Sequence, residues 1–361
     1  ILAACSGHLD VVRLLCDAGA GKERATQDGW TPLLIACVQG NLEIVRFLCA
    51  AGCRRCRPSD GWTHLLLATQ EGHHAVMRFL CETGSNVDEG TDEGTTPLIL
   101  TCQRGDLEGT RLLCSKGART DIAVTDGRTP LLVASSRGHM EVVANLCEAH
   151  AEPDGALPDG KTPLFLASWA GHSQVARQLC MAGADASRAA EDGRTPLCAA
   201  AQQGHAEIVG LLLGTGVFGA GADGGISPLV LAAEQGHVEV IRLLCMAGAS
   251  GDAGNLAAGD GSDTPLYVAA WAGHMAAVRC LCQASADCRQ PAKTGVTPLL
   301  AACKQGHLDV VKFLYGRTAS EDGADDWIPA SWVAANYGHW EIASYLCEAA
   351  QFKCKAPQGT E

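Results

Sequence analysis

"DGKTPLFLASWAGHSQVARQLCMAGAD", residues 159–185, holds two short apolar-faced segments punctuated by glycine. Thr162 and Pro163 predict a helix start. A threonine hydroxyl can accept from the first free N–H groups, and proline fits the first helical position. Leu164, Leu166 and Ala167 give this helix an apolar side, and Gly171 suits the left-handed conformation that ends it. A second helix is predicted over "HSQVARQLCMA", with Val175, Ala176, Leu179 and Cys180 on one stripe and Gly183 as its end. Polar residues with Asp-Gly turn signals lead to the next Thr-Pro-Leu. Neither helix exceeds about 12 residues, the length below which an isolated helix is marginal in water. One copy has no core, so it must bury its faces against neighbours.

Those neighbours are present. The glycine equivalent to Gly171 recurs at Gly7, Gly40, Gly72, Gly105, Gly138, Gly204, Gly236, Gly273, Gly306 and Gly338, at intervals of 32 or 33 residues with one of 37. This predicts eleven units: 1–27, 28–59, 60–92, 93–125, 126–158, 159–191, 192–223, 224–260, 261–293, 294–325 and 326–361. The first opens inside a helix, without Met, so the sequence is expected to be a piece of a longer chain. The eighth carries the Gly- and Asp-rich stretch 251–263, which lacks EF-hand spacing and is read as a lengthened finger. The last is divergent, with Pro329, Ala330 and Ser331 where Thr-Pro-Leu is expected.

Residues 28–52 ("DGWTPLLIACVQGNLEIVRFLCAAG"), 126–150 ("DGRTPLLVASSRGHMEVVANLCEAH") and 192–216 ("DGRTPLCAAAQQGHAEIVGLLLGTG") resemble ankyrin repeats. The resemblance covers essentially the whole chain. It implies an all-α fold, a solenoid of helix-turn-helix units with β-turn or hairpin fingers along one edge, and a role in protein–protein recognition. The chain departs from the family after Thr-Pro-Leu, where a histidine that links neighbouring repeats is usual. Here that slot holds Leu34, Leu66, Ile99, Leu132, Phe165, Cys198, Val230, Tyr267, Leu300 and Trp332. Stacking is therefore expected to lean on apolar packing more than on a polar network.

Composition narrows the function. Hydrophobic residues make up 47% and charged residues 19%, a globular balance. The net charge of −13 argues against a phosphate-binding surface, and no nucleic-acid partner is expected. No run of some 18 apolar residues appears, so no membrane insertion is expected, and no secretory signal opens the chain. Nine of the 19 cysteines stand nine residues after the recurrent glycine: Cys16, Cys49, Cys81, Cys114, Cys147, Cys180, Cys245, Cys282 and Cys347. Leu213 and Tyr315 fill the same slot elsewhere, so it is read as apolar and the cysteine as a small buried hydrophobe. Stacked units lie roughly 9–10 Å apart, too far for a disulfide between adjacent copies, whose Cα atoms must come within about 7 Å. So many free thiols imply a reducing, cytoplasmic setting. Cys53 and Cys56 form one C-x-x-C pair, flanked by Arg54 and Arg55, which could lower a thiol pKa. Nine histidines follow the recurrent glycine and are read as hydrogen-bonding at loops and helix starts. No metal site, cofactor site or catalytic set stands out against the repeat.

Structural slots repeat, whereas binding slots vary. The variable slots are the residue before Thr and the two before Gly-His, which line the concave face in the family. They nominate Trp30, Trp62, Arg128, Lys161 and Arg194 in the first slot, and Arg104, Arg137, Trp169 and Trp271 in the second. Tryptophan is favoured at binding hot spots. The basic residues form a strip that an acidic segment could follow, or that Asp126, Asp159 and Asp192 balance. The expected function is a non-catalytic, monomeric scaffold that binds a partner protein along the concave face and fingers. The alternatives are the targeting arm of a larger enzyme (a kinase, ubiquitin ligase or acyltransferase) and a membrane–cytoskeleton adaptor.

Overall fold

The computed structural model describes residues 1–53, 61–216, 227–248, 263–318 and 327–354, the side chains of 327, 328 and 350–354 excepted. These residues form helices joined by turns, in two compact units, residues 1–185 and 186–361. In the first unit the helices are α1 (Leu2–Cys5), α2 (Leu9–Asp17), α3 (Pro32–Val38), α4 (Leu42–Ala50), α5 (His64–Glu71), α6 (His74–Glu82), α7 (Pro97–Arg104), α8 (Leu107–Ser115), α9 (Pro130–Arg137), α10 (Met140–Glu148), α11 (Pro163–Ala170) and α12 (Ser173–Met181). In the second they are α13 (Pro196–Gln203), α14 (Ala206–Gly214), α15 (Pro228–Gln235), α16 (Val238–Gly248), α17 (Pro265–Ala272), α18 (Met275–Gln283), α19 (Pro298–Gln305), α20 (Leu308–Thr318), α21 (Trp327–Asn336) and α22 (Trp340–Cys354).

Local chemistry sets each helix. Thr162 Oγ1 accepts from the Phe165 N–H at 3.1 Å. Thr31, Thr63, Thr96, Thr129, Thr195, Thr264 and Thr297 cap their helices in the same way. Ser227 stands in this position but makes no side-chain cap bond. Gly171 ends α11 at φ 81°, as the sequence predicts.

Within each unit the helices pack in two rows. In the first unit α3, α5, α7, α9 and α11 follow one another in contact, and α4, α6, α8, α10 and α12 form the parallel row. In the second, α13, α15, α17, α19 and α21 make one row, and α14, α16, α18, α20 and α22 the other. First-row helices are enclosed on nearly all sides: every residue from Pro97 to Cys102 of α7 is buried. Second-row helices bury a stripe, such as Val142, Val143 and Leu146 of α10.

In the slot after Thr-Pro-Leu, Leu34, Leu66, Ile99, Leu132 and Cys198 have no exposed surface, Val230, Tyr267 and Leu300 are half-buried, and Trp332 is exposed. A polar ladder runs beside it. The imidazole Nε2–H of the residue after the recurrent glycine reaches back to the preceding repeat and donates to the carbonyl two residues before that repeat's glycine. His73 meets Val38 O at 2.8 Å and His172 meets Ser136 O at 3.2 Å. In the second unit His237, His274, His307 and His339 bond Gln202, Glu234, Trp271 and Lys304 at 2.9–3.1 Å. Asn41 substitutes for the imidazole by donating to Ala4 O at 3.1 Å. The sequence reading places the hydrogen bonds of these side chains at loops and helix starts. His8, His73, His139, His172, His205 and His274 do stand at the N-cap of their helices, but none makes a side-chain cap bond there. The network that the departure from the family put in doubt is thus supplied by a different histidine.

Two further expectations meet the structure, and the second needs correction. Among the described residues there is no strand, and of the two forms expected for the fingers, the described ones take the turn. The fully described ones close with a pair of backbone bonds, such as Val124 N to Arg128 O at 3.1 Å and Gly127 N to Val124 O at 2.8 Å. The cysteine ladder is also less buried than expected. Cys49, Cys81, Cys114, Cys147 and Cys180 are half-buried, while Cys245 and Cys282 are buried and Cys347 is exposed. At 3.6 residues per turn the slot lies about 90° from the centre of the stripe set by Val175, Ala176 and Leu179, at its edge. Fully enclosed thiols belong instead to the first-row helices, as at Cys37, Cys102, Cys198 and Cys303.

Candidate functional site

The finger turns position the basic residues, and each finds an acid two residues away in its own turn. Arg128 pairs with Asp126 at 2.6 Å and Lys161 with Asp159 at 2.8 Å, both within the first unit. In the second unit Arg194 lies 3.7 Å from Asp192 and donates to Gln202 Oε1 at 3.0 Å. The hydrogen bond from Arg128 holds the Asp126 carboxyl below the usual carboxylate range, and Lys161 does the same for Asp159. The sequence weighed a strip balanced by these aspartates against a strip open to an acidic segment. Each of the three basic residues thus has an aspartate of its own turn within ion-pairing distance.

Fingers also tie to one another. Asp88 Oδ1 accepts the Arg119 N–H, and Asp154 Oδ1 accepts the Asp185 N–H, both at 2.9 Å and 31 residues along the chain. The Thr125 N–H reaches Glu93 O at 3.2 Å.

Arg104 has a packing role. The fourth repeat carries Asp106 where others carry the histidine, and Asp106 caps α8 by accepting from the Gly109 N–H at 2.9 Å. It also meets His74 Nε2 at 2.7 Å. No imidazole therefore covers Gly72, and the Arg104 guanidinium lies there instead, 2.9 Å from where a Cβ would stand. Arg137 is exposed in the last turn of α9.

The tryptophans divide by depth. Trp30 and Trp62 are half-buried. Trp62 forms one wall of a shallow concavity shared with Gln70, Thr91, Asp92, Glu93 and Gln103. Trp169 and Trp271 are 38% and 36% exposed. Trp271 tilts against Tyr267, with ring centroids 6.1 Å apart. Lys304 Nζ lies 5.1 Å from the Trp271 ring and 5.3 Å from the Tyr337 ring, so an ammonium sits between aromatics of the two flanking repeats. Tyr337, 51% exposed, was not singled out from the sequence. It stands directly before Gly338, in the variable slot itself, so reading that slot through to the divergent last repeat would have found it.

The possibility of a reactive C-x-x-C pair weakens at its described half. Cys53 is buried, and burial pushes its thiol up rather than down. Arg54, Arg55 and Cys56 lie outside the described residues, as do Ile226 before Ser227 and the long finger at 251–262. Among the described residues no group of three or more His, Cys, Asp and Glu is placed to hold a metal ion. No helix among them is long and apolar enough to cross a membrane.

No curated protein matches this sequence. The family described as ankyrin repeats (3 copies) matches at residues 1–59, 50–124, 119–190, 182–255 and 251–325. With Thr-capped helix pairs, left-handed glycines and repeat-to-repeat stacking in both units, the chain belongs to the ankyrin-repeat family.

Proposed function

We propose that the chain is a non-catalytic recognition scaffold that binds a partner protein along its concave face and finger turns. The family is one of protein–protein interaction modules, which supports binding as the general activity. The observation that carries the finer reading is the exposure of Trp169 and Trp271, large aromatics in a variable slot. Trp62 and its concavity offer a further anchor in the first unit. Arg128, Lys161 and Arg194 contribute less, because an acidic segment must first break the ion pairs to Asp126, Asp159 and Asp192. Exposed pairs of this kind are worth about 0–1 kcal/mol, so they tune salt dependence rather than set affinity.

The test is to capture partner proteins on the immobilised chain and compare variants. Trp169→Ala and Trp271→Ala are each expected to weaken partner binding by about 30-fold, as a hot-spot truncation of about 2 kcal/mol does. Arg128→Glu should change the salt dependence and little else. Binding untouched by both tryptophan variants would place the interface elsewhere.

A further inference from the structure

Cys282 fills the ninth position after Gly273, the slot that carries cysteine in eight other repeats. Cys288 does not belong to that ladder. Its position, six residues further on, holds Val87, Thr120, Pro153 and Ala186 in other repeats. α18 ends at Gln283, and the chain turns back through Ser285 at φ 66°. The Ala286 N–H closes onto Leu281 O at 3.1 Å. This reversal sets the two sulfurs 3.3 Å apart, with Cys288 Sγ also 3.8 Å from Ala286 O. A disulfide needs an S–S distance of about 2.05 Å, so closure asks for an approach of little more than about 1 Å.

We propose that Cys282 and Cys288 form a dithiol modification site that closes to a disulfide by exchange with a low-molecular-weight disulfide of the glutathione class. Cys288 is half-buried on the turn and is the accessible member, whereas Cys282 is 3% exposed. The Cys288 thiolate attacks one sulfur of glutathione disulfide. That S–S bond breaks, and the departing glutathione takes up a proton. Cys282 then loses its proton and attacks the Cys288 sulfur, releasing the second glutathione as a thiol. Two protein thiols become one disulfide while one glutathione disulfide becomes two thiols, so atoms and electrons balance. The order of events follows from the contact. The Cys282 S–H can donate to a Cys288 thiolate, and that contact together with burial pushes the Cys282 thiol up, so it keeps its proton until Cys288 has reacted. The same turn carries Arg289, whose Nη2 donates to Thr318 O at the end of α20 at 2.7 Å. Oxidation would therefore fasten at its base a turn already tied to the next repeat.

The experiment equilibrates the full reduced chain in glutathione buffers of rising disulfide content, quenches with acid, alkylates and maps peptides by mass spectrometry. The Cys282–Cys288 disulfide, two hydrogens lighter than the dithiol, is expected at about tenfold less glutathione disulfide than modification of Cys147 or Cys180 requires, ~30 mV for a two-electron couple. Cys282→Ser should retain glutathione on Cys288, and Cys288→Ser should leave Cys282 a free thiol. Wild-type mapping stands by itself if a variant misfolds. Modification of Cys147 and Cys180 while the pair stays reduced would overturn the proposal, as would pairing of either cysteine with another, or absence of the Cys288 adduct in Cys282→Ser.

Discussion

At the scale of the residue, the glycines that end the two helices of a repeat carry different duties. Gly138 needs φ 80°, and a Cβ built on it would stand 2.6 Å from His172 Nδ1. Gly183 needs φ 89° but has no atom within 4 Å of that point. A left-handed alanine costs about 1–2 kcal/mol in either place. Gly138→Ala also displaces the His172 ring and its bond to Ser136 O, worth about 1 kcal/mol. Gly138→Ala is therefore expected to lower stability by about 3 kcal/mol in urea denaturation, and Gly183→Ala by about half of that. Equal losses would mean that the ring-on-glycine contact adds nothing. Thiols give a second residue-scale prediction. Cys5 and Cys347 are exposed, whereas burial raises Cys102, and Cys303 is pushed up to about 12. A thiol with a raised pKa yields thiolate only as pH climbs towards it. Native-state alkylation near pH 8 should therefore mark Cys5 and Cys347 first and reach Cys102 and Cys303 only on unfolding.

At the scale of the element, the helix caps differ in a measurable way. Thr129 Oγ1 accepts from the Leu132 N–H, and losing such a cap costs about 1 kcal/mol. Ser227 makes no side-chain cap bond, so Ser227→Ala should be nearly neutral while Thr129→Ala is not; thermal melts compare the two. The finger ion pairs predict the sign of an acid effect. Asp126 and Asp159 are held below their usual range by Arg128 and Lys161. Their contribution is complete above the unfolded carboxylate value of about 4, and it is lost as pH falls through the lower folded value. Both are solvent-exposed, so the contribution is small. Melting temperature should not respond to these groups between pH 7 and 5. Below about pH 4 it should fall less for Asp126→Asn with Asp159→Asn than for the parent chain.

At the scale of the molecule, each repeat is stabilised by its neighbours, so a repeat with one neighbour is weakest. α1 has four residues and no side-chain cap, and α1 and α2 bury one residue each, Ala4 and Val12. Leu2 and Leu14 are left 84% and 68% exposed. Amide hydrogen exchange is expected to be much faster across residues 2–17 than across α7 to α10 in the same unit. In the last described repeat Trp332 is 68% exposed in the slot where Leu66 and Ile99 are enclosed.

The repeat, the helix pairs, the Thr-Pro starts and the left-handed glycines were all legible in the sequence. Each depends on a residue and its neighbours within one turn, where backbone sterics and capping act alone. The sequence also exposed the choice at Arg128, Lys161 and Arg194, because the aspartates stand two residues away, but only side-chain geometry closed those ion pairs. What the sequence left open are contacts made about 35 residues along the chain or across a reversed turn. The histidine that meets Ser136 O, the guanidinium that covers Gly72, the ammonium between Trp271 and Tyr337, and the Cys282–Cys288 approach all belong to this kind. The half-burial of Cys180 belongs with them, since a slot at the edge of an apolar stripe is covered or bare according to how far the next repeat reaches. Periodicity names the slots, and the stacking of one repeat on the next decides what each slot touches.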